Sequence, residues 1–249
     1  MAHPSCLLAF ETATRVASVA LLRDGELLGE KLGPSEQTTA ESLLPSLDEL
    51  FADCGLTLDS VDAFAVSVGP GSFTGLRVGI ATLKGLAFGG GRPVAPVPTL
   101  AALARTVSDP PHASAASEPV VAMLDARRGE VYAAAYAASA GSPPREILAE
   151  GVYSREDLVR KLPPACVLVG EGVLVCGEWL RERLGSGVRV QPPPASDARA
   201  RHVAVLGAAL LAAGRGVDAA ELVPRYLRRA EAEVKRTGER FEGPASGLA

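Results

Sequence analysis

The residues best placed to do chemistry in this 249-residue chain lie in one glycine-rich run, Val66-Ser-Val-Gly-Pro-Gly-Ser-Phe-Thr-Gly-Leu-Arg-Val-Gly79. A strand pattern ends there in a tight turn and opens into a helix pattern at Ser72. Free N–H groups and the positive helix end therefore converge on one point, which suits an anion. Gly69, Gly71 and Ser72 are its candidate contacts. The run has neither the Gly-Lys-Ser/Thr ending of a Walker A loop nor Rossmann spacing, so it does not by itself specify a nucleotide. Two carboxylates follow strand patterns closely: Glu11, with Thr12 and Thr14 beside it, and Asp125. Either could orient Mg2+ or a nucleophile in a nucleotide-hydrolysing or phosphotransfer enzyme.

Other chemistries are poorly supplied. The three histidines, His3, His112 and His202, have no metal-ligand neighbour at useful spacing. Cys6, Cys54, Cys166 and Cys176 form no Cys-x-x-Cys pair and read as buried, reduced thiols. A peptidase would need a nucleophile–base arrangement that the chain does not offer. No catalytic residue and no metal set is assigned.

The elements that position these residues can be read from periodicity. Cys6–Phe10, Val16–Leu22 and Glu26–Leu32 are strands, with Asp24-Gly25 as a type I′ turn. Ala40, Leu43, Leu44, Leu47, Leu50, Phe51 and Cys54 mark a helix, with a capping box of Thr38 and Glu41 and a kink or later start at Pro45. A strand over 61–68, the helix from Ser72 to about Phe88, an edge strand at Val94–Val97 and a short helix from Leu100 follow. After a turn-rich linker at 109–117 the opening plan recurs: strands at 119–124, 131–137 and 146–152, a helix at 155–162 and a strand at 166–169. Residues 199–214 read as an Ala/Leu-rich helix. An acidic residue after the first strand thus appears twice, as Glu11 and Asp125, which suggests duplication of one unit.

The helix from Ser72 is apolar or small over most of its circumference. Phe73, Leu76, Ile80, Leu83 and Ala87 form one face, and Gly75, Gly79, Thr82 and Leu86 an adjacent one. Each interior glycine costs about 1 kcal/mol relative to alanine, so close backbone approach is the expected reason for both. Such a helix is buried on two sides; either both lie inside one lobe, or one meets another subunit. Leu43, Leu44, Leu47, Phe73, Gly75, Leu76, Arg77, Gly79 and Ile80 are the residues expected at a partner interface. On that reading Arg77→Glu with Leu76→Asp abolishes partner binding while the monomer stays folded.

Composition is that of a globular protein, with 47% apolar and 22% charged residues. Aromatics are few, so the core must come from Ala, Val and Leu. A net charge of −4 argues against an independent nucleic-acid binder. The N-terminus lacks a basic region, and its apolar run is too short for a leader or a membrane span, so a cytoplasmic protein is expected.

Leu8-Ala-Phe-Glu-Thr-Ala-Thr14, the Val66–Gly79 run with its continuation to Phe88, Asp125-Ala-Arg-Arg-Gly-Glu-Val-Tyr132 and Pro224-Arg-Tyr-Leu-Arg228 together resemble the TsaB (YeaZ) family. The resemblance spans about residues 6–232. It implies an actin-like/sugar-kinase α/β fold of two ribonuclease-H-like lobes with mixed sheets. It implies a role in making threonylcarbamoyladenosine beside the anticodon of tRNA, as a non-catalytic subunit that binds and supports the transferase TsaD. TsaE and TsaC are the further partners implied, with tRNA reached only through the complex and a homodimer formed when alone. TsaD-like chains carry a His-x-x-x-His pair on the first helix; here that stretch is Gln37-Thr-Thr-Ala-Glu-Ser-Leu-Leu-Pro45. No cofactor is implied for the isolated chain, with ATP or ADP at the boundary with TsaD. The family usually has Asp where this chain has Glu11, which weakens a phosphate role for Glu11, Thr12 and Thr14. The alternative is a stand-alone ATPase or phosphotransferase of the same superfamily.

The expected divisions are a partner-binding lobe at 1–108, a second lobe at 109–198, a helix and segment at 199–235 returning to the first lobe, and a disordered tail at 236–249. Arg225, Arg228, Arg229, Lys235 and Arg236 form a basic stretch, either a tRNA contact or a solvated helix face interleaved with Glu231 and Glu233.

Overall fold

The computed structural model describes residues 4–108, 118–137, 144–191, 193 and 199–228. The expected linker at 109–117 and tail at 236–249 lie outside the described residues.

Strand β1 (Cys6–Glu11) continues through β2 (Ser18–Arg23) and β3 (Glu26–Leu32) as an antiparallel meander. Asp24 and Gly25 both take positive φ, 51° and 85°, as a type I′ hairpin requires. Helix α1 (Thr39–Cys54) begins where the Glu41 carboxylate accepts from the Thr38 N–H and hydroxyl, at 2.8 and 2.7 Å. It runs through Pro45 with no later start. That proline faces solvent in the second turn, where water can replace the one lost helical bond.

Strand β4 (Ala63–Gly69), helix α2 (Phe73–Ala87), strand β5 (Val94–Pro98) and helix α3 (Thr99–Ala104) complete the first half. Its sheet has the order β3-β2-β1-β4-β5, with β4 and β5 parallel to β1. The second half repeats this with β6 (Val120–Asp125), β7 (Val131–Tyr136), β8 (Glu146–Tyr153), helix α4 (Arg155–Lys161), β9 (Cys166–Val169), helix α5 (Val173–Leu184) and β10 (Val188–Gln191). Its order, β10-β9-β6-β7-β8, is the first order read from the other end. Helix α5 and strand β10 were absent from the periodicity reading. Helix α6 (Ala200–Ala212) closes the described elements.

Strand alternation divides the core into three. Leu8, Phe10, Val19, Leu21, Phe64 and Val66 point outward from the first sheet under α1 and α2. Leu7, Ala9, Ala65 and Val97 point inward, meeting α3, α6 and the inner face of the second sheet through Val120, Ala122 and Val169. Val121, Met123, Ala133 and Leu168 face outward under α4 and α5. A Cβ on Gly207 of α6 would lie 2.4 Å from the Ala65 Cβ. Helix α6 therefore lies close against the first sheet at Ala65, where a side chain at position 207 has no room, while Leu100, Leu103 and Leu124 fill the rest of the layer.

All four cysteines are free; Cys6, Cys166 and Cys176 are buried and Cys54 is half-buried. Burial pushes the Cys166 and Cys176 thiols up to about 11, which leaves them inert as nucleophiles.

Candidate functional site

Each half ends its first strand in a carboxylate that folds back on its own turn. Glu11 closes β1 and is fully buried; its Oε1 accepts from the Ala13 and Thr14 N–H groups at 2.8 and 3.0 Å. Burial raises its pKa against the opposing pull of the Ser67 hydroxyl and those two amides. Asp125 closes β6, and its Oδ1 accepts from the Arg127 N–H at 2.6 Å. The amides that a phosphate turn would offer are thus taken by side chains of the same turn.

The glycine-rich loop is also filled, by backbone. A Cβ on Gly69 would lie 2.3 Å from the Arg225 carbonyl oxygen, and one on Gly71 2.3 Å from that of Ala13. The Ser72 N–H donates to the same Ala13 oxygen at 2.7 Å, while the Ser72 hydroxyl accepts from the Gly75 N–H at 3.1 Å. Of the six residues proposed for a phosphate turn, Thr14, Gly71 and Ser72 line an interlobe cleft of about 830 Å³, and Glu11, Thr12 and Gly69 do not. Asp125, Arg127, Tyr132 and Glu171 face that cleft from the second lobe.

Of the three glycines of α2, Gly75 and Gly79 are explained inside the chain, while Gly85 faces open space. A Cβ on Gly75 would meet the Thr12 carbonyl oxygen at 2.1 Å, and one on Gly79 the Thr12 Oγ1 at 2.1 Å. The small face of the helix is therefore seated on the β1–β2 turn. Leu43, Leu47, Gly75, Leu76, Gly79 and Ile80 are buried in the chain's own fold. Of the nine residues expected at a partner interface, Leu44 (51% exposed), half-buried Phe73 and exposed Arg77 reach the surface. Leu76 is fully buried, so Leu76→Asp tests folding and not docking.

Arg77 is held in place. Its guanidinium carbon lies 3.8 Å from the centre of the Phe73 ring, and its Nε donates to the Tyr226 hydroxyl at 3.1 Å. The Phe73 and Tyr226 ring centres are 4.7 Å apart.

Tyr226 belongs to the Pro224–Arg228 run, which the sequence marks as a family motif and a basic stretch without assigning the tyrosine a contact. From α6 the chain pairs Val217 with Val94 at the edge of β5, then passes along α2, where Lys84 Nζ donates to the Ala220 carbonyl at 3.0 Å. The Arg225 N–H donates to the Val68 carbonyl at 2.6 Å, and its guanidinium reaches Glu150 of β8 at 2.5 Å. The Arg228 guanidinium donates to the Ala126 carbonyl and pairs with Glu130 in the β6–β7 turn. Residues 222–228 form neither a solvated helix face nor an open cationic patch; they strap the first lobe to the second. Arg229, Lys235 and Arg236 lie outside the described residues. The clue in the sequence was the Pro224–Arg228 motif, whose spacing follows no secondary-structure period.

His202 has a structural task, its Nδ1 accepting the Arg199 N–H at 3.3 Å at the start of α6. Among the described residues no group of three or more His, Cys, Asp or Glu could hold a metal ion. No described helix is long and apolar enough to cross a membrane.

A 3-2-1-4-5 sheet with an antiparallel meander and two parallel strands is the ribonuclease-H-like arrangement, and its duplication around a cleft places the protein in the actin/sugar-kinase fold class. The family model described as TsaD, tRNA N6-adenosine threonylcarbamoyltransferase, matches residues 35–236. The chain is 34% identical over 232 residues to the Haemophilus influenzae tRNA threonylcarbamoyladenosine biosynthesis protein TsaB, covering 89% of this chain and 93% of that one. The Escherichia coli protein of the same name is 32% identical, with 94% and 99% covered. The solved structure of YeaZ from Pseudomonas aeruginosa superposes with a TM-score of 0.75 at 34% identity, covering 90% of this chain and all of that one. The chain belongs to the TsaB (YeaZ) family of tRNA threonylcarbamoyladenosine biosynthesis.

Proposed function

We propose that the chain is a non-catalytic partner subunit that docks onto the TsaD transferase through the exposed parts of α1 and α2 and supports its transfer of threonylcarbamoyl to tRNA. The observation that carries this reading is the Glu11 carboxylate turned onto the Ala13 and Thr14 amides. With those donors taken and the glycine loop packed by backbone, the turn does not fit a nucleotide's phosphates in the isolated chain. The histidine-free Gln37–Pro45 stretch supports the same division of labour, since a metal-assisted transfer needs ligands there. ATP or ADP in this system belongs at the boundary with TsaD, tRNA is met through the complex with TsaE and TsaC, and the lone subunit pairs with itself. This is a cytoplasmic task.

Size-exclusion chromatography with light scattering, on the chain alone and mixed with the TsaD of the same organism, tests the proposal. The expected result is a heteromeric peak that replaces any homodimer, with no ATP turnover by the chain alone. Two independent peaks, together with turnover that Glu11→Gln stops, would establish the stand-alone enzyme instead.

A further inference from the structure

On the exposed α1/α2 face, Arg77 is held between the Phe73 ring and the Tyr226 hydroxyl. Phe73 covers one face of the Arg77 guanidinium, and the Tyr226 hydroxyl takes its Nε. Both restraints fix the plane of the fork while the residue stays exposed. An arginine fixed in this way has already lost much of its rotamer freedom, and its two terminal nitrogens present a planar pair of donors that matches a carboxylate. Arg and Tyr packed against an aromatic ring is also the composition of interface hot spots.

We infer that Phe73, Arg77 and Tyr226 form one composite anchor, built from α2 and the C-terminal strap, whose guanidinium receives a carboxylate side chain of the partner protein. This rests on the partner-subunit reading above. A protein carboxylate is favoured over an RNA phosphate because, among the described residues, the other cations of α2 and the strap are committed: Lys84 to the Ala220 carbonyl, Arg225 to Glu150 and Arg228 to Glu130. A single fork beside an aromatic ring meets one acidic side chain, whereas a phosphate track needs several cations in a row. The anchor depends on tertiary structure, because Tyr226 is placed by Arg225, which is bonded to the first lobe at Val68 and to the second at Glu150.

The test is the affinity of the full chain for the TsaD of the same organism, measured by calorimetry over a range of salt. Arg77→Ala and Arg77→Lys each weaken binding by about tenfold or more, the lysine failing because it keeps the charge and loses the fork. Tyr226→Phe, which keeps the ring and removes the hydroxyl, costs about threefold. Arg77→Ala also lowers the salt dependence, which a merely structural role would not change. Arg183→Ala, on the outer helix layer of the other lobe, leaves the affinity unchanged and serves as the control. Wild-type affinity in Arg77→Lys and Arg77→Ala, with the complex intact, overturns the anchor and leaves the partner reading standing. Binding of free tRNA to the lone chain that is lost in Arg77→Ala overturns it in favour of a phosphate. Absence of any complex with wild type overturns the partner reading and the anchor together.

Discussion

The guanidinium of Arg225 lies 2.5 Å from the carboxylate of Glu150, a pair that fastens the end of the described chain, which also lies on α2, to the edge strand of the opposite sheet. Glu150 is only 5% exposed at its side chain, so without this partner its charge would sit in a poorly solvated position. The same segment carries Tyr226 to Arg77. The surface offered to a partner and the relation between the lobes therefore share one set of contacts.

Arg225→Met removes the ion pair and keeps the aliphatic packing. We expect a loss of about 1–3 kcal/mol in urea unfolding, below the value for a fully buried pair because Arg225 itself is 42% exposed. Amide exchange over 222–228 accelerates in the same variant. Adding Glu150→Leu should recover most of the stability; unchanged unfolding in the single variant would show that the strap is held by its backbone alone.

The pH dependence has a defined sign. Burial raises the Glu150 carboxyl to about 7, outweighing the attraction of Arg225, and nearby Glu146 raises it further. Its folded pKa is therefore above its ordinary value of 4.5, and the native state binds the extra proton between those two values. Stability from this group is fully present below about 4.5 and is lost as pH rises to about 7, by on the order of 3 kcal/mol. Glu150→Gln should remove that slope. Parallel urea titrations of the two proteins from pH 4.5 to 8 would refute the assignment if their difference stayed constant.

Gly75→Ala and Gly79→Ala should each destabilise by about 1–3 kcal/mol despite better helix propensity, because the added methyl enters the space of Thr12. The two sites differ in what they strike: a main-chain carbonyl at Gly75, the side-chain oxygen at Gly79. Thr12→Ala should accordingly rescue part of the loss in Gly79→Ala and none in Gly75→Ala. Equal rescue of both, in a double-mutant comparison of melting curves, would contradict this packing.

Glu11→Ala leaves the Ala13 and Thr14 N–H groups without their acceptor and opens a cavity under the turn. The expected cost is about 2–4 kcal/mol of stability, with affinity for TsaD unchanged where the protein is folded. Intact stability accompanied by lost pathway activity would assign Glu11 a chemical role instead.

Much of the architecture was legible before any coordinates. The Asp24-Gly25 turn, the Thr38–Glu41 box and the Ser72 cap are local devices, decided within four residues by hydrogen-bond reach and φ preference. Helical periodicity located α1 and α2, and short continuous apolar runs located the central strands, which are buried on both faces. Helix α5 escaped because Gly177 interrupts its apolar pattern. The helix that Pro45 was expected to displace shows the converse, since an exposed carbonyl loses little when its donor is missing.

The candidate site divides along the same line. Residue types in the chain were enough to determine the family resemblance, the lack of histidines between Gln37 and Pro45, and the chemical awkwardness of a glutamate at the first turn. They could not say that Gly75 and Gly79 are spaces for Thr12, or that six of the nine expected interface residues are used up in the core. Nor could they say that Arg225 and Arg228 are committed to Glu150 and Glu130, about a hundred residues or less away along the chain. Those facts are distances between segments far apart in sequence, and no local propensity encodes them. Burial, ion pairing and the seating of Tyr226 on Arg77 came into being only when both lobes and the strap were brought together, because desolvation and packing act on neighbours in space.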